Sequence, residues 1–299
     1  MEWGGRVSKK YKYLCAAFPL QDVKEGVSFL RRQMGTRTFL ALCMTIWMGI
    51  APLSAADHSH INVVLLGDSN TSIGGDSCNI AVGWSKWFKE VFAPASCRSY
   101  ARSGATWTNT ERTRRDEEEN TGRLSDNNVV YNQACRLITA CQSGRQVSPQ
   151  LIMIAAGTND AWFGKQRPQR FAKTAAQVFA ATSMPATQSI AQITTLAESV
   201  RYVCEMLMEA FPEAQIVLLT PMQCTAASAE DIQKVGDTIE ECGRQMSLAV
   251  IRQDYGSAVS RIMESKSHTF TSDGTHTNER GARRNGIYIA HAVEALLQM

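Results

Sequence analysis

Apolar residues in this chain gather into short blocks set apart by polar turns. Residues 61–66 (INVVLL) form a nearly unbroken apolar run closed by Gly67, the pattern of a strand covered on both faces. Residues 82–92 instead space Val82, Trp84, Trp87, Phe88 and Val91 at helical intervals before Pro94. A shorter strand is predicted over 96–101, a helix over 129–141, and a third strand over 151–156 ending at Gly157. An amphipathic helix is predicted over 190–211, stopped by Pro212. A strand follows over 216–219, then one or two helices over 229–254. Residues 258–263 read as a weak final strand, interrupted by Ser260 and Arg261, and a helix over 277–297 closes the chain. Residues 109–128 are polar and charge-dense, which predicts an exposed loop or insertion. Residues 161–189, broken by Pro185, show no period and could contribute to a lid.

Strands alternating with helices predict one α/β domain over 57–299, a parallel sheet covered by helices on both faces. Ligands of such sheets sit at the carboxyl ends of the strands. No internal repeat is visible.

The N-terminal part reads differently. Residues 39–50 (FLALCMTIWMGI) are uncharged and apolar, preceded by Arg37 and followed by Ser54, Ala55 and Ala56. The run is shorter than the roughly 20 residues of a membrane-spanning helix. Its charge–apolar–small order predicts a secretory signal peptide over 34–56, cut near Ala55 or Ala56. Met34 is then the expected start, and residues 1–33 a non-native or unstructured extension; a peptide from 1–33 in the natural protein would refute this. Export to a periplasm or the outside follows as the expectation.

With 44% hydrophobic and 20% charged residues, the composition is that of a globular protein and argues against disorder and coiled coil. The formal charge of +3 is misleading, because the leader holds much of it. Beyond residue 56 there are 23 Lys and Arg against 25 Asp and Glu. A nucleic-acid binder would present a basic patch or stripe, so nucleic acid is excluded as the expected partner. Of nine cysteines, seven follow Ala56, with no C-x-x-C among them. A zinc ribbon or thioredoxin-type site is therefore unsupported. An odd number leaves at least one thiol free, and the pairing is not readable from sequence. His58 and His60 form an H-x-H expected in a mobile tail, and no metal site is expected.

Polar clusters follow the predicted strands: Gly67-Asp68-Ser69-Asn70 after the first, Arg102-Ser103-Gly104 after the second, and Gly157-Thr158-Asn159-Asp160 after the third. Asp273-Gly274-Thr275-His276 precedes the last helix. A serine hydroxyl attacks well only when a base takes its proton, and an imidazole titrates near neutrality. Asp273, three residues before His276, is close enough on one loop to fix the imidazole tautomer. Ser69, His276 and Asp273 are thus the candidate nucleophile, base and orienting acid. Asp68 and Asp160 read as structural ties between strand-end loops.

In this order the four blocks resemble those of the SGNH, or GDSL-type, serine hydrolases, over essentially the whole of 57–299. The resemblance implies a flavodoxin-like three-layer α/β/α sandwich with a parallel sheet of about five strands. It also implies ester hydrolysis through a serine acyl-enzyme without a cofactor. It further implies an oxyanion hole from the backbone N–H groups of Ser69 and Gly104 and the side-chain amide of Asn159. Two positions depart from the usual pattern: Asn70 stands where GDSL names Leu, and Thr277 where many relatives have Pro.

Trp107 and Trp162, each three residues beyond a block glycine or asparagine, are placed at the pocket rim, where flat aromatic faces suit sugar rings. With export, a near-neutral body and no stable membrane anchor, this favours a soluble ester substrate. The leading expectation is an O-acetylesterase acting on carbohydrate. A lysophospholipase or thioesterase for longer acyl chains is the alternative, and a non-catalytic glycan-binding module a third class. A nucleotide site is disfavoured, since GDSN rather than G-x-G-x-x-G follows the first strand.

Overall fold

In the computed structural model, which describes residues 57–117, 121–182, 189–257 and 259–297, five parallel strands form one sheet. They are β1 (Asn62–Gly67), β2 (Ser96–Ser99), β3 (Leu151–Ala155), β4 (Gln215–Leu219) and β5 (Ala249–Ile251), in the order β2-β1-β3-β4-β5. In this flavodoxin-like order the crevice opens where chain progression reverses, between β1 and β3. There Gly67 lies in register with Ala155, so the segments after both strands start from the same edge of the sheet. Those segments are the GDSN and GTND blocks.

The three-layer α/β/α architecture follows from the two sides of the strands. Val63, Leu65 and Met153 face α2 (Trp84–Phe92) and α10 (Glu279–Leu297), where Phe88, Phe92 and Ile289 complete one core layer. Val64, Leu66 and Ile154 face α3 (Val130–Gln142), α6 (Leu196–Ala210) and α7 (Ala229–Gln245), which supply the other. Helices α2 and α10 touch at backbone distance: a Cβ on Gly286 would stand 2.4 Å from the Trp84 carbonyl oxygen.

Several expected elements change. The last strand is β5, within the stretch read as helix, and α9 (Arg261–Ser267) takes up the second half of the segment read as the final strand. Ala249-Val250-Ile251 is too short to show a period of its own after the amphipathic α7, yet it completes the sheet beside β4. The helix expected from 190 begins at Leu196. Thr195 and Glu198 exchange side-chain and backbone hydrogen bonds as a capping box there. The described part of the 109–128 segment is irregular but anchored, with Asn109, Thr113 and Asn128 buried. His58 is not in a free tail: its ring stacks on Phe92 at 3.9 Å, and Nδ1 lies 3.1 Å from the Phe92 carbonyl oxygen. The described residues belong to the unit Asp57–Met299. The expected extension and signal peptide, residues 1–56, lie outside the described residues.

Candidate active site

Ser69 opens α1 (Ser69–Ser72), a single turn after β1. Asp68 caps it, its Oδ1 accepting the Asn70 N–H at 3.1 Å. The strand end itself is clamped by a buried side chain from α3. Gln133 donates from Nε2 to the Gly67 carbonyl and accepts the Gly67 N–H at Oε1, both at 2.8 Å.

His276 and Asp273 lie on the loop before α10. Ser69 Oγ is 2.9 Å from His276 Nε2, and His276 Nδ1 is 2.7 Å from Asp273 Oδ2. With its proton on Nδ1 and donated to Asp273, the ring leaves Nε2 free to accept from the serine hydroxyl. Asp273 also steadies its own loop: Oδ1 accepts the N–H groups of Thr275 at 2.9 Å and His276 at 2.7 Å. Burial pushes its carboxyl up. The hydrogen bonds from the His276 ring and from these two N–H groups outweigh it and hold the group below the ordinary carboxylate value. Buried Glu264 on α9 supports the loop from behind, accepting the Phe270 and Thr271 N–H groups at 3.0 Å and the Thr271 hydroxyl at 2.6 Å.

The other blocks are laced to this line. Ser72 and Ser103 hydroxyls meet at 3.0 Å, joining α1 to the loop that carries Gly104. Asn159, at the start of α4 (Thr158–Trp162), donates from Nδ2 to the Ala105 carbonyl at 2.8 Å, which leaves its second amide hydrogen unspent. Asp160 accepts the Trp107 and Thr108 N–H groups at 2.9 Å and the Thr108 hydroxyl at 2.5 Å. Asp68 Oδ2 reaches the Thr158 N–H at 3.3 Å. Among the described residues, the N–H groups of Ser69 and Gly104 donate to no other protein group. Gly104 adopts φ +78°, and a Cβ there would meet the Leu124 nitrogen at 2.5 Å, so the loop admits no other residue without strain. The two departures from the family pattern also meet, since the Thr277 N–H points to Asn70 Oδ1 at 3.4 Å. A proline at 277 would have no such donor.

Asp68 is the most perturbed acid here. Complete burial pushes its carboxyl up to about 6, against the opposing hydrogen bonds from Thr158 and Asn70.

Of the two rim tryptophans, Trp107 is misplaced by the sequence reading. It is fully buried, with Nε1 donating to the Ala156 carbonyl at 3.3 Å. Trp162 is 40% exposed and stacks on Phe163 at 5.0 Å. Gln133 and Glu264 went unnoticed in the sequence. The signal for Gln133 is a polar residue among the apolar positions of α3's buried face; for Glu264 there is none. Among the described residues no three His, Cys, Asp or Glu side chains are grouped to hold a metal ion. No described helix is long and apolar enough to cross a membrane.

A cleft of about 440 Å³ lies along the continuation of two of these blocks, lined by Asn109, Thr110, Arg112, Gln166, Arg167 and Gln169 among others. It includes neither Ser69 nor His276. It is formed by the chain that leaves the Gly104 block and the chain that leaves the Asn159 block.

Comparison with known proteins bears on the whole arrangement. A solved structure of a possible lipase from Chitinophaga pinensis superposes with a TM-score of 0.52 at 15% identity, over 80% of this chain and 100% of that one. A protein from Lactobacillus plantarum matches with a TM-score of 0.51 at 12% identity, over 80% and 97%. At these identities the likeness is one of fold. A comparison with curated proteins finds no match. The model of the GDSL-like lipase/acylhydrolase family matches residues 65–284, a span holding the end of β1, the serine turn, the other four strands and the His276 loop. The chain belongs to the GDSL-like lipase/acylhydrolase family.

Proposed function

We propose that the protein is a serine esterase that removes short acyl groups, acetyl foremost, from carbohydrate. The observation that carries the chemistry is the Ser69–His276–Asp273 line at 2.9 and 2.7 Å. In this reading His276 Nε2 takes the hydroxyl proton as Ser69 Oγ attacks the ester carbonyl. Asp273 stabilises the resulting imidazolium. The N–H groups of Ser69 and Gly104 and the spare amide hydrogen of Asn159 receive the oxyanion. The imidazolium then protonates the departing alcohol, and water, deprotonated by the same imidazole, releases the acid.

The carbohydrate alcohol is supported by the cleft beside the Gly104 and Asn159 blocks, whose amide, hydroxyl and guanidinium groups match a hydroxyl-rich ligand. A second reading, an acylhydrolase for longer chains, is favoured by the exposed Ile80 and Val82. Val82 lies next to the His276 loop, its carbonyl accepting the Thr277 hydroxyl at 2.8 Å. The proposal includes export, on the strength of the leader-like residues 34–56.

Hydrolysis of p-nitrophenyl esters from acetate to octanoate, wild type beside Ser69→Ala, is the test. The expected result is turnover greatest on acetate and lost in the variant. Turnover rising with chain length would favour the second reading, and undiminished turnover by Ser69→Ala would refute the serine mechanism.

A further inference from the structure

The cysteines do not take part in the chemistry above, and one pair is placed for chemistry of its own. Seven cysteines lie among the described residues, all as free thiols. Cys78 and Cys97 are in direct sulfur–sulfur contact, the Cys97 S–H donating to Cys78 Sγ at 3.2 Å. They are far apart in local structure. Cys97 is on β2, the edge strand of the sheet, beside Val63. Cys78 is in the loop of residues 73–83, which joins the serine turn α1 to α2, and its φ of +55° is unusual for a residue with a Cβ.

The loop is held in that position by other contacts. The Ser99 N–H donates to the Asp76 carbonyl at 2.8 Å, and Arg102 pairs with the Asp76 carboxylate at 2.8 Å. The loop therefore runs back along β2, and Cys78, two residues after Asp76, comes over Cys97, two residues before Ser99. On the other side Lys89 of α2 donates to the Ser77 carbonyl at 3.1 Å and to Asn79 Oδ1 at 2.9 Å, bracketing Cys78. Both sulfurs are buried, so the pair is shielded once formed.

We propose that Cys78 and Cys97 close into a disulfide that staples the loop between the serine turn and α2 to the edge strand. The oxidant is a disulfide, small-molecule or protein, acting by thiol–disulfide exchange while the loop is still open. The Cys78 thiolate attacks one sulfur of the donor RSSR, forming a mixed disulfide and releasing RS⁻. The Cys97 thiolate then attacks the Cys78 sulfur and releases the second RS⁻. The two protons lost by the cysteines are taken up by the two thiolates that leave. Two thiol sulfurs are oxidised and one RSSR is reduced to two RSH. Once the loop is closed, the S–H donated by Cys97 outweighs burial and, with Lys89 nearby, lowers the Cys78 thiol below the ordinary value, while the same contact and burial push the Cys97 thiol up. Cys135, Cys141, Cys204, Cys224 and Cys242 are all pushed up by burial.

The full chain, unfolded under reduction and refolded in a buffer of reduced and oxidised glutathione, tests this by alkylation in denaturant and peptide mapping. The expected map joins the Cys78 and Cys97 peptides and shows the other five cysteines of residues 57–299 alkylated. Closing a loop of this size should raise the thermal midpoint by roughly 6–12 °C over the reduced sample. Cys97→Ser should give no joined peptide and a midpoint insensitive to reductant. If that variant does not fold, the wild-type map with and without reductant decides alone. Recovery of Cys78 and Cys97 both alkylated, or joined to other cysteines such as Cys204 or Cys242, would overturn the proposal. Neither result touches the esterase reading.

Discussion

Asp68 sits one residue before the nucleophile, and its burial makes a measurable prediction. Its carboxyl rises from 3.8 to about 6. At about 1.4 kcal/mol per pH unit, that difference corresponds to about 3 kcal/mol of folding free energy. The folded protein holds this proton more tightly than the unfolded chain does, so between pH 3.8 and about 6 the native state binds more protons. Stability contributed by the neutral acid is therefore full below pH 3.8, falls as pH rises through 6, and is absent above. Asp68→Asn removes the titration while keeping an acceptor for the Asn70 N–H; the contact with the Thr158 N–H is lost at every pH. Urea unfolding of both proteins at intervals from pH 4 to pH 7.5 isolates the effect. The stability of the wild type relative to Asp68→Asn should decline by about 2.4 kcal/mol across that range, the part of the difference that pH 4 to pH 7.5 spans, since all other titrating groups are shared. Parallel curves, or a relative gain by the wild type as pH rises, would refute the reading that burial outweighs the hydrogen bonds to Asp68 and raises its carboxyl.

Asn159→Ala should lower kcat on p-nitrophenyl acetate by about a hundredfold to a thousandfold with KM little changed, as loss of one side-chain oxyanion donor does; a fall under tenfold would remove Asn159 from that role. Gly286→Ala places a Cβ 2.4 Å from the Trp84 carbonyl oxygen and 2.7 Å from Trp87 Cβ. It should destabilise the protein by roughly 1–3 kcal/mol in urea unfolding through forced separation of α2 and α10. An unchanged midpoint would mean that the two helices are not in backbone contact.

The blocks at the strand ends were legible because chemistry and local pattern coincide there. An unbroken apolar run followed by Gly-Asp-Ser, and another followed by Gly-Thr-Asn-Asp, mark buried strands and polar turns without any knowledge of partners. The expectation for Trp107 failed for an instructive reason. Spacing along the chain placed it near Gly104, but Asp160 draws the 107–108 backbone inward and the indole packs under the site. The final strand failed because Ala249–Ile251 has only three residues, and β5 exists as a strand through its pairing with β4.

The order of apolar blocks, the polar residues that end them and the short separation of Asp273 from His276 were determined by sequence alone, since each depends on neighbours within a turn or a loop. The meeting of Ser69 with His276 across 207 positions, the Gln133 clamp on Gly67, the lacing of Asn159 to Ala105 and the contact of Cys78 with Cys97 were decided only by tertiary structure. Each joins segments whose approach is set by the crossover order of the sheet and by helices packing on its two faces, and no local propensity encodes which segments a parallel sheet will bring side by side.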